Sequence, residues 1–164
     1  MKLFKFGFAA LICTLVISAQ ANAGAYIGAL GGYGVASGTP NFTGGGLALG
    51  ATAGFQLVPN LGVAATYIHD ALKSGSTDVA VSQYLVEGNF FSVLFFPSGV
   101  HIGNISTSAN GSSFSDFGFG AHTGFDLMLT GSISVGAAAY WTYVTTTNDK
   151  HSLFNVLIPV KFHL

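Results

Sequence analysis

The stretch Gly46-Leu47-Ala48-Leu49-Gly50-Ala51-Thr52-Ala53-Gly54-Phe55-Gln56-Leu57 sorts its residues by parity. Odd positions hold Leu47, Leu49, Ala51, Ala53, Phe55 and Leu57; even positions hold Gly46, Ala48, Gly50, Thr52, Gly54 and Gln56. Successive side chains of a strand point to opposite faces, so a strand here has one apolar face and one small or polar face. Gly46, Gly50 and Gly54 also stand four apart, the spacing of a helix-packing seam. A helix leaves the parity of the intervening residues unexplained; a strand accounts for all of them.

The split recurs twice. Phe117, Phe119, Ala121, Thr123, Phe125, Leu127 and Leu129 alternate with Gly118, Gly120, His122, Gly124, Asp126 and Met128. Ile133, Val135, Ala137, Ala139, Trp141 and Tyr143 alternate with Ser132, Ser134, Gly136, Ala138, Tyr140 and Thr142. A soluble barrel keeps its bulky apolar residues inside. In this chain the polar residues share a face with the glycines, which predicts lipid outside and a narrow polar lumen inside. Glycines on that face let a sheet curve tightly and leave room for neighbouring side chains.

Composition agrees. Of 164 residues 50% are hydrophobic and 7% charged, against about 25% charged in soluble domains. So apolar a chain is not disordered. Five lysines without an arginine cannot build a phosphate-tracking stripe, so no nucleic-acid partner is expected. Residues 1–23 read as a secretory signal peptide: Lys2 and Lys5, an apolar run from Phe6 to Ile17, and Ala21-Asn22-Ala23 as the cleavage pattern. The run is shorter than the ~20 residues a membrane helix needs. Cys13 follows Ile12 inside that run, so lipidation is not expected. Beyond the leader, residues 24–164 form one barrel domain with no cysteine, which excludes disulfides and thiolate chemistry there.

Alternation and turn residues predict eight strands: 25–34, 45–57, 61–69, 78–96, 100–107, 113–129, 132–145 and 151–164. Short turns are expected at Val58-Pro59-Asn60, Pro97-Ser98-Gly99 and Thr130-Gly131, and longer polar loops at the other end, centred on 37–41, 73–77, 107–111 and 146–150. This predicts an all-β, eight-stranded antiparallel up-and-down transmembrane barrel, with short periplasmic turns, longer outside loops and both termini periplasmic. Aromatic girdles are expected at both rims. Tyr67, Phe117, Trp141 and Tyr143 fall toward the loops, and Phe55, Phe95, Phe96 and Phe162 toward the turns.

The glycine-rich opening Ala25–Gly34, the stretch Pro59-Asn60-Leu61-Gly62-Val63, the Phe117–Leu127 strand and the terminal Val160-Lys161-Phe162-His163-Leu164 resemble the small eight-stranded outer-membrane β-barrels of the OmpA/OmpX/OmpW type. The last residue is leucine where that family usually has phenylalanine. The resemblance implies residence in a bacterial outer membrane, contact with its lipids and lipopolysaccharide, and passage through the barrel assembly machinery. Its OmpW-type members imply a conduit for small hydrophobic molecules.

Parity assigns Gln56, Gln83, Glu87, His122, Asp126, Asn155, Lys161 and His163 to the lumen. Buried charges must pair or hydrogen-bond, so a structural polar network of Gln83, Glu87, His122, Asp126 and Lys161 is expected. Lys161 should pair with Asp126 or Glu87, the alternative being that it reaches the periplasm. His122 and Asp126 lie about 13 Å apart along one strand and make no dyad unaided. His151-Ser152 point to opposite faces, and the His-x-Ser motif of lipid A deacylases is missing from the final hairpin. No His-x-His or His-x-x-x-His pair occurs, and no phosphate-cradling glycine loop. The expectation is a non-enzymatic barrel with an envelope-structural or surface role, and no metal or cofactor.

Overall fold

The computed structural model describes residues 24–38, 42, 44–58, 61–93, 96–145 and 150–164. The signal peptide expected over 1–23 lies outside them. Eight strands follow in order: β1 Ala25–Gly38, β2 Gly46–Val58, β3 Leu61–Ser74, β4 Thr77–Val93, β5 Phe96–Ala109, β6 Ser112–Met128, β7 Ile133–Thr145 and β8 Lys150–His163. Each pairs antiparallel with the next, and β8 closes on β1. Tyr26 pairs with His163, so the first and last strands meet at one end.

The register sets the barrel's dimensions. Partners followed from Gly28 through Thr52, Thr66, Leu85, Gly103, Gly118, Val144 and His151 return to β1 at Gly38, a stagger of ten residues. With the usual rise and strand spacing, that stagger tilts the strands by about 40°. The stagger is even, so the inward parity survives one circuit of the barrel. Outward stand Ile27, Leu49, Val86, Ile102, Phe119, Val156 and Ile158, all exposed. On β8 the exposed run Phe154–Phe162 covers about 20 Å along the axis at this tilt, close to the ~25 Å apolar band of membrane barrels. Exposed rings form two tiers: Tyr33, Tyr67, Tyr84, Phe117, Phe119 and Trp141 toward one end, and Phe55, Phe90, Phe125 and Phe162 toward the other. Phe95 lies outside the described residues.

Two expectations fail at the strand ends. β1, β3 and β5 run further than predicted, and connection length does not alternate between short and long. The connections are 59–60, 94–95 and 129–132 at the end holding the termini, and 39–45, 75–76, 110–111 and 146–149 at the other. The segment expected as a loop at 107–111 is mostly hairpin, with Ser108 paired to Ser113 and Ala109 to Ser112. Asn110 (φ 50°) and Gly111 (φ 78°) are the two left-handed residues of a tight turn whose twist matches its strands. Pro97-Ser98-Gly99, expected as a turn, belongs to β5. Pro97 is its second residue, where a missing N–H disturbs pairing least.

The lumen also differs from the small and polar interior expected. Ile68, Leu72, Val79, Val81, Leu85, Ile105, Val144, Leu153 and Leu157 all point inward and are fully buried. The expectation came from β2 and β6, rich in glycine, and from β7, whose inward residues are mostly small or polar. Space left by the glycines of those strands and of β1 is filled by aliphatic side chains, chiefly from β3, β4, β5 and β8.

Candidate functional site: the lumen network

The lumen has two chemistries along its axis. Toward the 75–76 and 110–111 turns, Leu72, Val79, Val81, Ile105, Val144 and Leu153 form an aliphatic plug. Phe42, from the β1–β2 connection, packs onto it with its ring 5.7 Å from that of His151. Below the plug lies a hydrogen-bonded chain. The Asp70 carboxylate accepts from Gln83 Nε2 at 2.7 Å and from Asn155 Nδ2. Gln83 Nε2 also reaches Asn155 Oδ1 at 2.9 Å, and Thr142 donates to Gln83 Oε1 at 3.0 Å. His101 Nε2 stands 3.0 Å from the same Thr142 hydroxyl.

Donor and acceptor roles propagate along this chain. The carboxylate fixes the Gln83 amide, which directs the Thr142 proton to Gln83 and leaves Thr142 to accept from His101 Nε2–H. His122 Nδ1 stands 3.3 Å from His101 Nδ1. These rings lie 21° from coplanar with centroids 5.6 Å apart, so the two nitrogens meet edge to edge. The other nitrogen of His122 faces Asn89 Oδ1 at 2.7 Å and Glu87 Oε2 at 3.8 Å. The Thr66 hydroxyl donates to Thr52 Oγ1 at 2.8 Å, and the Tyr140 ring stacks on that of His122 with centroids 5.1 Å apart. Glycines make the space: a methyl on Gly34 would strike Asp70 and Asn155, and one on Gly120 would come within 2.6 Å of His101 Nε2.

At the terminus end, Lys161 Nζ donates to Asp126 Oδ2 at 2.6 Å and sits 4.9 Å from the Tyr26 ring centroid. A cavity of about 50 Å³ between this pair and the histidines is lined by Glu87, His122, Asp126, Tyr140 and Lys161. Among the described residues, Glu87 Oε1 and Asp126 Oδ1 have no hydrogen-bond partner. The cavity mixes these polar groups with apolar walls from Leu30, Phe125 and Ala138, and is large enough for a water molecule, which suits such oxygens.

Gln83, Glu87, His122, Asp126 and Lys161 all occupy inward positions, as do Gln56, Asn155 and His163. They are not one cluster: Gln83 joins His122 only through Thr142 and His101, and Lys161 pairs with Asp126 rather than Glu87. Asp70, Asn89, His101 and Thr142 were missed by the sequence reading. Parity carried the signal for Asp70, which follows Ala64, Thr66 and Ile68 at even positions, but the strand was ended at residue 69. His101 likewise shares its parity with Gly103 and Ile105.

Serine–histidine contacts occur among the described residues. Ser134 Oγ lies 2.8 Å from His163 Nε2, and Ser82 Oγ lies 3.0 Å from His69 Nδ1. Among the described residues neither imidazole bonds a carboxylate, and Ser134 is fully buried, beyond the reach of a substrate carbonyl. Among the same residues no three His, Cys, Asp or Glu side chains converge as a metal site.

No family model matches the sequence, and no curated protein sequence matches it. Solved structures do. Neisserial surface protein A aligns over 85% of this chain and 97% of its own, with a TM-score of 0.72 and 18% identity. The outer membrane protein OprG from Pseudomonas aeruginosa aligns over 88% and 99%, with a TM-score of 0.52 and 12% identity. Ail, the attachment invasion locus protein of Yersinia pestis, aligns over 86% and 100%, with a TM-score of 0.53 and 12% identity. At these identities the likeness is one of fold: an eight-stranded closed barrel shared with small outer-membrane proteins.

Proposed function

We propose that this chain is a non-enzymatic integral protein of the bacterial outer membrane, a barrel with an envelope-structural or surface role and both termini periplasmic. The observation that carries the proposal is the combination of an exposed apolar outer wall with a filled lumen. The wall suits lipid, and among the described residues the plug and the network beneath it fill the lumen. An eight-stranded barrel has an interior just wide enough for side chains to fill.

A conduit for small hydrophobic molecules would need a bore or a gap between strands. What favours the closed reading is pairing around the entire circuit. β7 and β8 keep one register on both sides of Pro159, although Gly136 and Ala137 have no assigned partner there. Outer-membrane lipids, lipopolysaccharide and, during biogenesis, the barrel assembly machinery are the partners this reading supplies. Planar-bilayer recording tests it. The purified barrel inserts without steady conductance; persistent open-channel currents would replace this reading with the conduit.

A further inference from the structure

Two imidazoles meet nitrogen to nitrogen in the lumen network, and their hydrogens are constrained from both sides. On one side the Asp70 carboxylate orients Gln83, Gln83 orients Thr142, and Thr142 accepts from His101 Nε2. A neutral His101 then presents only a lone pair at Nδ1. His122 Nδ1 stands 3.3 Å from it, so the hydrogen between them belongs to His122. On the other side His122 Nε2 faces two acceptors, Asn89 Oδ1 at 2.7 Å and Glu87 Oε2 at 3.8 Å. Turning the Asn89 amide end for end would relieve the first of these and not the second. Both nitrogens of His122 are asked to donate, which a neutral ring cannot do.

We propose that the His101–His122 pair holds one proton more than two neutral rings, carried by His122 as an imidazolium against the Glu87 carboxylate, so that a proton ties the lumen together and alkaline conditions release it. Charge balance is a second, independent observation. The charged and titratable groups around the pair are Glu87 from β4, Asp126 from β6, Lys161 from β8, and the phenols of Tyr26 from β1 and Tyr140 from β7. From β2 and β3 come Thr52 and Thr66, which bond each other, while Asp70 of β3 lies beyond Gln83 and Thr142. Lys161 is bonded to Asp126 at 2.6 Å. Among the described residues Glu87, 4% exposed, then has His122 as its one cation within reach of an ion pair. A buried carboxylate needs such a partner, and one proton on the pair brings two carboxylates and one ammonium to zero net charge. Tyr140 adds a third observation: its ring stacks on that of His122 at 5.1 Å, presenting the π face that a cation favours. Without the proton, His122 fills only one of its two contacts. Either the ring pair or the tie to Asn89 and Glu87 then opens, and with it a cross-link among β4, β5 and β6.

The test is NMR of the barrel in detergent micelles, with its histidines labelled in nitrogen-15 and His122→Gln used for assignment. At neutral pH the wild type shows His122 with both ring nitrogens protonated and His101 with one. A scalar coupling joins the two Nδ1 nitrogens through the shared hydrogen. Raising the pH abolishes that coupling. The folded lumen holds this proton and the unfolded chain does not, so urea unfolding becomes easier as the pH rises past the same point, and His122→Gln removes the step. In Glu87→Gln, with folding checked by heat-modifiable gel mobility, His122 reverts to a neutral ring. Two neutral rings in the wild type at neutral pH overturn the proposal, whether or not that variant folds. An unchanged imidazolium in folded Glu87→Gln, or the same pH step in His122→Gln, overturns it as well.

Discussion

The two halves of the lumen solve one problem with opposite chemistry. The plug end is an ordinary hydrophobic core: Leu72, Val79, Val81, Ile105, Val144 and Leu153 bury their side chains and ask for no partner. The part below the plug runs from Asp70 down to Glu87, two histidines, Asp126 and Lys161, and nearly every polar atom there needs a named neighbour. Both fill space left by glycines. The difference is in how each tolerates change: an aliphatic plug loses contacts in proportion to what is removed, whereas a polar chain leaves orphans.

That contrast is testable by unfolding the barrel in urea from phospholipid vesicles. The largest effect is expected for Asp70→Ala, which strands the amides of Gln83 and Asn155 and costs about 4 kcal/mol. Replacing all three with leucine removes the orphans along with their partner, so the triple variant recovers most of that loss. A triple variant no more stable than Asp70→Ala would break the comparison. Leu153→Ala, 1% exposed in the plug, should cost about 3 kcal/mol through its cavity. Lys161→Met should cost only about 1–2 kcal/mol, because the side chains of Lys161 and Asp126 keep 19% and 31% exposure. The smallest effect is expected for Ser113→Ala on the outward face, within about 0.5 kcal/mol.

Parity alone made the fold legible. Once Leu47–Leu57 and Phe117–Leu127 are read as strands with one apolar side, closure into a barrel leaves few alternatives. Strand ends were less legible, because above the apolar wall the outward residues become Ser, Thr and Asn, a composition shared by loops. Ending β3 at residue 69 hid Asp70, the acceptor at the head of the polar chain. The lumen positions of Glu87, Asp126 and Lys161 followed from alternation. Which of them pair did not, because that depends on the ten-residue stagger, and stagger is a property of all eight registers together. The aliphatic plug was missed for a related reason. Glycine-rich strands advertise an interior of small residues, while the side chains filling it come from other strands.

A nitroxide scan along β8 tests the central claim, that one parity faces lipid and the other a packed interior. The only cysteine, Cys13, lies in the segment read as a signal peptide, so single cysteines can be placed one at a time from position 153 to 160 and spin-labelled in phospholipid vesicles. Labels replacing Phe154, Val156, Ile158 and Val160 should be mobile and open to collision with oxygen but shielded from a water-soluble nickel complex. Labels replacing Leu153, Asn155, Leu157 and Pro159 should be immobile and shielded from both. A two-residue period in oxygen accessibility is the result this account predicts. Equal oxygen accessibility at both parities, or free access of the nickel complex to the lumen positions, would contradict it.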